Sequence, residues 1–291
     1  MRRKRARDKA VGATPSAVAG RPFFSYQASA VATAPNILVF DSGLGGLTVF
    51  REVVKARPDA HYLYVADDAF FPYNGRGEAE LVARVGALMG ELIETHAPDL
   101  VVIACNTAST IVLPHLRQRF RVPFVGTVPA IKPACATSKS KRVTVLGTQA
   151  TVGREYTRAL IRDFANGSDI TLVGSPRLAS FAEAELHGAP VADALLAAEL
   201  APCFIDADGR RTDTVVLACT HYPLLLERLV ALAPWPVNFI DPAPAIARRV
   251  ADLSGPAASA RSSVPARIVF TSGAEASVPL AAALARFGIG S

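Results

Sequence analysis

Beyond residue 35, apolar positions along the chain take two alternating forms. Short β-branched runs, NILVFD, HYLYVAD, LVVIAC, VPFVG, RVTVLG, ITLVG, TVVLAC, VNFID and RIVFTS, have strand length and little polar interruption. Between them, apolar residues recur at helical spacing near residues 46–57, 78–97, 107–119, 151–164, 178–187, 190–203, 222–232, 243–253 and 276–286. Strand and helix alternate almost throughout, which predicts an α/β fold of parallel sheets wrapped by helices. Apolar runs without alternation suit strands buried on both faces.

An internal echo refines this picture. VVIACNT, residues 101–107, and VVLACTH, residues 215–221, place Cys105 and Cys219 in matching contexts 114 residues apart. NILVFD ends in Asp41 and VNFID ends in Asp241, so each half is expected to hold one apolar strand ending in Asp and another ending in Cys. The simplest arrangement is two similar parallel-sheet lobes with flanking helices, related by an approximate two-fold axis, with a site in the cleft between them. The expected division is a flexible basic extension over 1–35, a first lobe over 36–130 plus 238–291, and a second lobe over 131–237.

Charge changes less than its total suggests. The net charge of +6 is concentrated in residues 1–10, which carry +5, so the rest of the chain is nearly neutral. A short basic arm without an interleaved aromatic or Arg-rich pattern reads as a solvated terminus, and no nucleic acid partner is expected. No apolar run reaches bilayer length, so no membrane span is expected. The four cysteines, Cys105, Cys135, Cys203 and Cys219, form no CxxC pair and no zinc spacing. Free thiols fit a reducing compartment, and the expected location is the cytoplasm.

In open parallel sheets, ligands bind beyond the carboxyl ends of the strands, where Cys105 and Cys219 are expected. One such cysteine alone reads as a small buried hydrophobe. Two in matching contexts, trailed by Asn106-Thr107 and Thr220-His221, point to chemistry, and a helix start after each is expected to lower the thiol pKa. Inverting a carbon centre beside a carboxylate needs one group to remove a proton and another to return one to the opposite face. Two facing thiols supply both without a cofactor. The glycines of DSGLGGLTV, residues 41–49, are expected to let the backbone approach a substrate carboxylate at a helix start. They do not match GxGxxG, and no GxxxxGK[ST] loop occurs, which weighs against a nucleotide-dependent enzyme.

Six segments together, FDSGLGGLTV, FPYNGR, ACNTAS, LGTQAT, SPRLASFAEAE and ACTHYPLL, closely resemble the glutamate racemases of the aspartate/glutamate racemase superfamily. The resemblance runs from about residue 36 to 254. It implies cofactor-independent interconversion of L-glutamate and D-glutamate, the latter feeding peptidoglycan synthesis in a bacterial cytoplasm, by a homodimer. Carried over by position, Cys105 exchanges the proton of the D-isomer and Cys219 that of the L-isomer. Asp41 assists Cys105, His221 assists Cys219, and Glu183 is a further acid. Asp41, Ser42, Tyr73, Asn74, Asn106, Thr107, Thr220 and His221 form the implied substrate-binding set. Asn74 stands where the family usually has glycine, and Ser175 where relatives often have Cys. Rival readings are an aspartate racemase, which Thr220-His221-Tyr222 argues against, and a non-catalytic two-lobe binding protein, which the intact Cys105, Cys219, Asp41 and His221 argue against.

Overall fold

The computed structural model describes residues 34–258 and 260–290. The extension expected over 1–35 lies outside these, apart from its last two residues. The first half runs β1 (Asn36–Asp41), α1 (Leu47–Ala56), β2 (His61–Ala66), α2 (Glu78–His96), β3 (Leu100–Ile103), α3 (Asn106–Ile111), α4 (Leu113–Arg119) and β4 (Phe124–Gly126). It continues through α5 (Ile131–Thr137), β5 (Arg142–Thr148), α6 (Gln149–Val152), α7 (Glu155–Phe164), β6 (Asp169–Ser175), α8 (Leu178–Leu186) and α9 (Asp193–Leu200). The last part comprises β7 (Asp206–Ala207), β8 (Arg210–Arg211), β9 (Thr214–Ala218), α10 (Leu226–Leu232), β10 (Asn238–Ile240), α11 (Ala243–Ser254), β11 (Arg267–Phe270) and α12 (Val278–Ala285).

Nine strands form two parallel sheets, a five-stranded one in the order β11-β2-β1-β3-β4 and a four-stranded one in the order β10-β9-β5-β6, and β7 and β8 form a separate antiparallel pair. All nine apolar runs read as strands are strands. Alternate side chains of β1 explain why helices must cover both faces: Ile37 and Val39 pack in one core with residues of α1, α11 and α12, and Leu38 and Phe40 in another with residues of α2, α3 and α4. The second sheet repeats this, with Val215 and Leu217 on one side, and Val216 and Ala218 on the other. Among the described residues no helix is long and apolar enough to cross a membrane.

Several expectations change. The chain crosses to the second sheet after β4 and returns only after β10, so residues 238–240, expected in the first lobe, pair with β9 on the second sheet. The helix expected over 107–119 divides at Val112 into α3 and α4, with Pro114 in the first turn of α4, where its missing N–H costs nothing. The helix expected over 151–164 likewise divides, into α6 and α7. Helix α5 was not expected, because IKPACAT is short and carries Pro133; burial of Ile131, Ala134 and Cys135 against β5 and β9 stabilises it.

The end of α1 is tied to the return segment by a buried ion pair. Arg57 donates twice to Asp59, at 2.9 and 2.8 Å, and donates to Gly255 O, while Asp59 accepts from Ala258 N. Both side chains are nearly inaccessible, and the bidentate guanidinium holds the Asp59 carboxyl down at about 2. Arg57→Ala leaves a buried carboxylate without its partner, and the expected loss in urea unfolding free energy at neutral pH is about 3 kcal/mol or more. Because a depressed carboxyl stabilises above its unfolded pKa and stops doing so as pH falls through its folded value, the deficit should shrink between about pH 4 and pH 2. A deficit independent of pH across that range would refute this account of the pair.

Candidate active site

The carboxyl ends of both sheets supply the site. Cys105 follows β3 and caps α3, with its sulfur accepting from Ala108 N at 3.5 Å and lying 3.6 Å from Ser42 Oγ. Cys219 follows β9, with its sulfur 3.8 Å from His221 Nδ1. One narrow cavity is lined by both cysteines together with Ser42, Phe71, Tyr73, Asn74, Asn106, Thr107, Thr148, Thr220 and His221. Its free volume is about 20 Å³, room for a single water. A cavity of about 780 Å³ opens between β11 and α12, but its titratable side chains, Arg267 and Glu275, are exposed and it holds no thiol. Cys135 and Cys203 are buried elsewhere. Among the described residues no group of His, Cys, Asp and Glu is arranged to hold a metal ion.

Behind the thiols stand two different acid/base assemblies. Asp41 is fully buried at the end of β1; one carboxylate oxygen accepts from Gly46 N and, at 3.4 Å, from Thr220 Oγ1, and the other has no partner. Burial pushes the Asp41 carboxyl up, opposed by His221 and by the backbone amides of Gly46 and Ser42. On the other side, His221 Nε2 lies 2.7 Å from Glu183 Oε1, which also accepts from Leu44 N at 2.6 Å. The Gly45 N–H also lies 3.2 Å from Nε2, and in its charged form the imidazole donates from Nε2 to Glu183 and from Nδ1 to the Cys219 sulfur. Burial works against the charged imidazole, but Cys219 and Glu183 outweigh it and raise the His221 pKa well above its ordinary value.

The expected lowering of the thiol pKa by a helix start fails at Cys105. Burial pushes that thiol well above its ordinary range, reinforced by the Asp41 carboxylate, and the contacts from Ala108 N and Ser42 Oγ do not compensate. Helix α3 has only six residues, and its one amide contact to sulfur is long. The Cys105 side therefore rests as a protonated thiol.

The glycines of DSGLGG serve a closer packing than expected. A Cβ on Gly43 would stand 2.3 Å from Glu183 Oε1, and one on Gly45 would stand 2.3 Å from His221 Nδ1. The loop after β1 thus lies directly on groups delivered by the second sheet, and their absent side chains let the two halves meet.

The implied binding residues divide by how they are used. Asn106 is buried with both amide atoms unpartnered, so its donor and acceptor are free for a ligand. Thr107 Oγ1 lies 3.2 and 3.4 Å from the hydroxyls of Thr148 and Thr151. Tyr73 lines the cavity, but its hydroxyl donates to Asp67 Oδ2 at 2.6 Å. Arg84 and Thr271 also bind Asp67, and with Tyr73 they overcome burial and hold the Asp67 carboxyl low. The Asn74 side-chain oxygen accepts from Ala150 N at 3.1 Å. Asp241, the counterpart of Asp41 in the sequence echo, accepts from Ala243 N and does not line the cavity.

Sequence reasoning missed Asp67, Thr148 and the contact of Phe71 with His221, whose rings lie 5.5 Å apart. A signal existed for the first two: each stands at or just beyond the carboxyl end of a strand, as Asp41 and Cys105 do.

The chain matches the Asp/Glu/Hydantoin racemase family model over residues 37–250. It is 55% identical over 234 residues to glutamate racemase of Brucella anthropi, covering 80% of this chain and 84% of that one. Among solved structures it resembles Escherichia coli glutamate racemase, described in complex with L-glutamate and the activator UDP-MurNAc-Ala, with 42% identity, 88% and 96% of the two chains covered and a TM-score of 0.80. It also resembles glutamate racemase from Thermus thermophilus in complex with β-chloro-D-alanine, at 29% identity, 81% and 88% coverage and a TM-score of 0.62. With the family model matching most of its length and the relatives matching in sequence and fold alike, the chain belongs to the Asp/Glu/Hydantoin racemases and, within them, to the glutamate racemases.

Proposed function

We propose that the chain interconverts L-glutamate and D-glutamate by a two-thiol mechanism and so supplies D-glutamate for peptidoglycan in a bacterial cytoplasm. One observation carries the mechanism: two cysteines from different sheets line one cavity, and each has its own acid/base partner behind it. In the L-to-D direction, the Cys219 proton resides on His221 Nδ1, and the thiolate beside it removes the substrate α-proton. The C–H electron pair passes onto carbon and into the adjacent carboxylate, and the Cys105 S–H delivers its proton to the opposite face, leaving a Cys105 thiolate. The D-to-L direction reverses every step.

The surrounding groups divide this work. Glu183 keeps the imidazole oriented and favours its charged form. Asp41, close to Cys105, disfavours the Cys105 thiolate and so keeps that thiol protonated until the carbanion takes its proton, and the same carboxylate makes the resulting thiolate the stronger base for the return direction. Asn106, Thr107, Thr220 and Ser42 offer an amide and hydroxyls for the substrate carboxylates without adding a rival base.

In deuterated water without added cofactor, L-glutamate should lose optical rotation while its α-position takes up deuterium, whereas L-aspartate should remain unchanged. Cys105→Ala and Cys219→Ala should each lower inversion of both enantiomers by more than about 100-fold. Inversion that survives removal of either thiol would rule out the two-base reading.

The roles of Glu183 and His221 can be assigned without a one-sided rate. The enantiomers have equal free energy, so kcat/KM must remain equal in both directions in every variant. Glu183→Gln should instead make proton transfer at Cys219 more rate-limiting. The primary isotope effect with 2-deuterated L-glutamate should rise and that with 2-deuterated D-glutamate should fall. The opposite shift would place Glu183 in the service of Cys105.

A further inference from the structure

Most contacts that join the two sheets at the cleft involve groups already placed in the chemistry: Leu44 with Glu183, Asp41 with Thr220, and Thr107 with Thr148. Another set lies on the loop that leads from β2 into α2. The Asn74 side-chain oxygen accepts the N–H of Ala150 at 3.1 Å, and Glu78 Oε2 lies 2.6 Å from Arg154 Nη1. Asn74 and Glu78 belong to the first sheet's side, Ala150 and Arg154 to the second.

The Asn74 bond completes a turn that its own segment leaves incomplete. Thr148 Oγ1 accepts the N–H of Thr151, satisfying one free amide at the start of α6. The neighbouring amide, that of Ala150, is satisfied from across the cleft. Both Thr148 and Thr151 in turn reach Thr107, which directly follows Asn106 in the site. An acceptor at position 74 is therefore linked through a single turn to cavity-lining hydroxyls. A glycine, the usual family residue there, has no side chain with which to make this bond.

We propose that Asn74 is a positioning residue for the racemase reaction: its side chain fastens the loop after β2 to the first turn of α6 and holds the second lobe at the spacing that closes the cleft on the substrate. The assignment rests on the racemase reading of the site. It commits the Asn74 side-chain oxygen to protein, which leaves Nδ2 and the backbone of this cavity-lining residue for any contact with substrate. Glu78 and Arg154 reinforce the same junction at the cleft mouth, where the partly exposed pair contributes little alone.

The wild type, Asn74→Gly and Asn74→Asp separate this role from others. Asn74→Gly removes the acceptor and should raise KM for both enantiomers about fivefold, the factor carried by one hydrogen bond of ordinary strength, with kcat changed less than about twofold. Asn74→Asp keeps an acceptor for Ala150 N, so its effect is read at that amide rather than in turnover. Amide hydrogen exchange at Ala150 reads the clasp without turnover: exchange should accelerate about fivefold in Asn74→Gly, with an unchanged Tm, and remain slow in Asn74→Asp. Unchanged exchange in Asn74→Gly, exchange in Asn74→Asp as fast as in the glycine variant, or an unchanged KM in Asn74→Gly overturns the proposal. A wild type that exchanges no α-proton overturns the racemase reading instead, and the amide measurement still decides the clasp.

Discussion

The contact on which the site depends is the one between Glu183 and the glycine loop. A single carboxylate oxygen from α8 accepts the Leu44 amide and faces His221 Nε2, so the strand-end loop of one sheet and the imidazole beside the second thiol are held by the same atom. Such a junction forms only where backbone approaches within side-chain distance, and Gly43 and Gly45 provide that approach. Once it is made, Cys105, Cys219 and His221 come to the mouths of their sheets around one cavity, with Asp41 fully buried behind them.

The two halves of the site have opposite electrostatic character. On the Cys105 side, desolvation and a nearby carboxylate both favour the neutral thiol. On the Cys219 side, an imidazole held by Glu183 favours a charged partner next to sulfur. Two thiols that would be equivalent in water are thus prepared for different tasks at the start of a turnover. The polar neighbours in the cavity are hydroxyls and an unpartnered amide, which bind carboxylates without taking protons from carbon.

Much of the fold was legible because the physics behind it is local. The nine apolar runs became strands, since sheets covered on both faces need strands without a polar side, and that requirement is written continuously in the chain. Helix limits were less legible at Val112, at Gly153 and in α5, where packing overrides weak local preference. Residues 238–240 could not be assigned to a sheet from sequence, because so short a strand carries no information about which neighbour it pairs with.

By itself, the sequence determined that strands alternate with helices, that two cysteines stand at strand ends in matching contexts, and that Asp41 and His221 accompany them. These follow from residue type and spacing along one segment. Only the tertiary structure decided that Asp41 joins the site while Asp241 does not, that Tyr73 spends its hydroxyl on Asp67, that Asn74 bonds to Ala150, and that the Cys105 thiol is pushed up. Each of these depends on distances between residues far apart in the chain and on how much water reaches them. Those quantities do not exist until the two sheets meet.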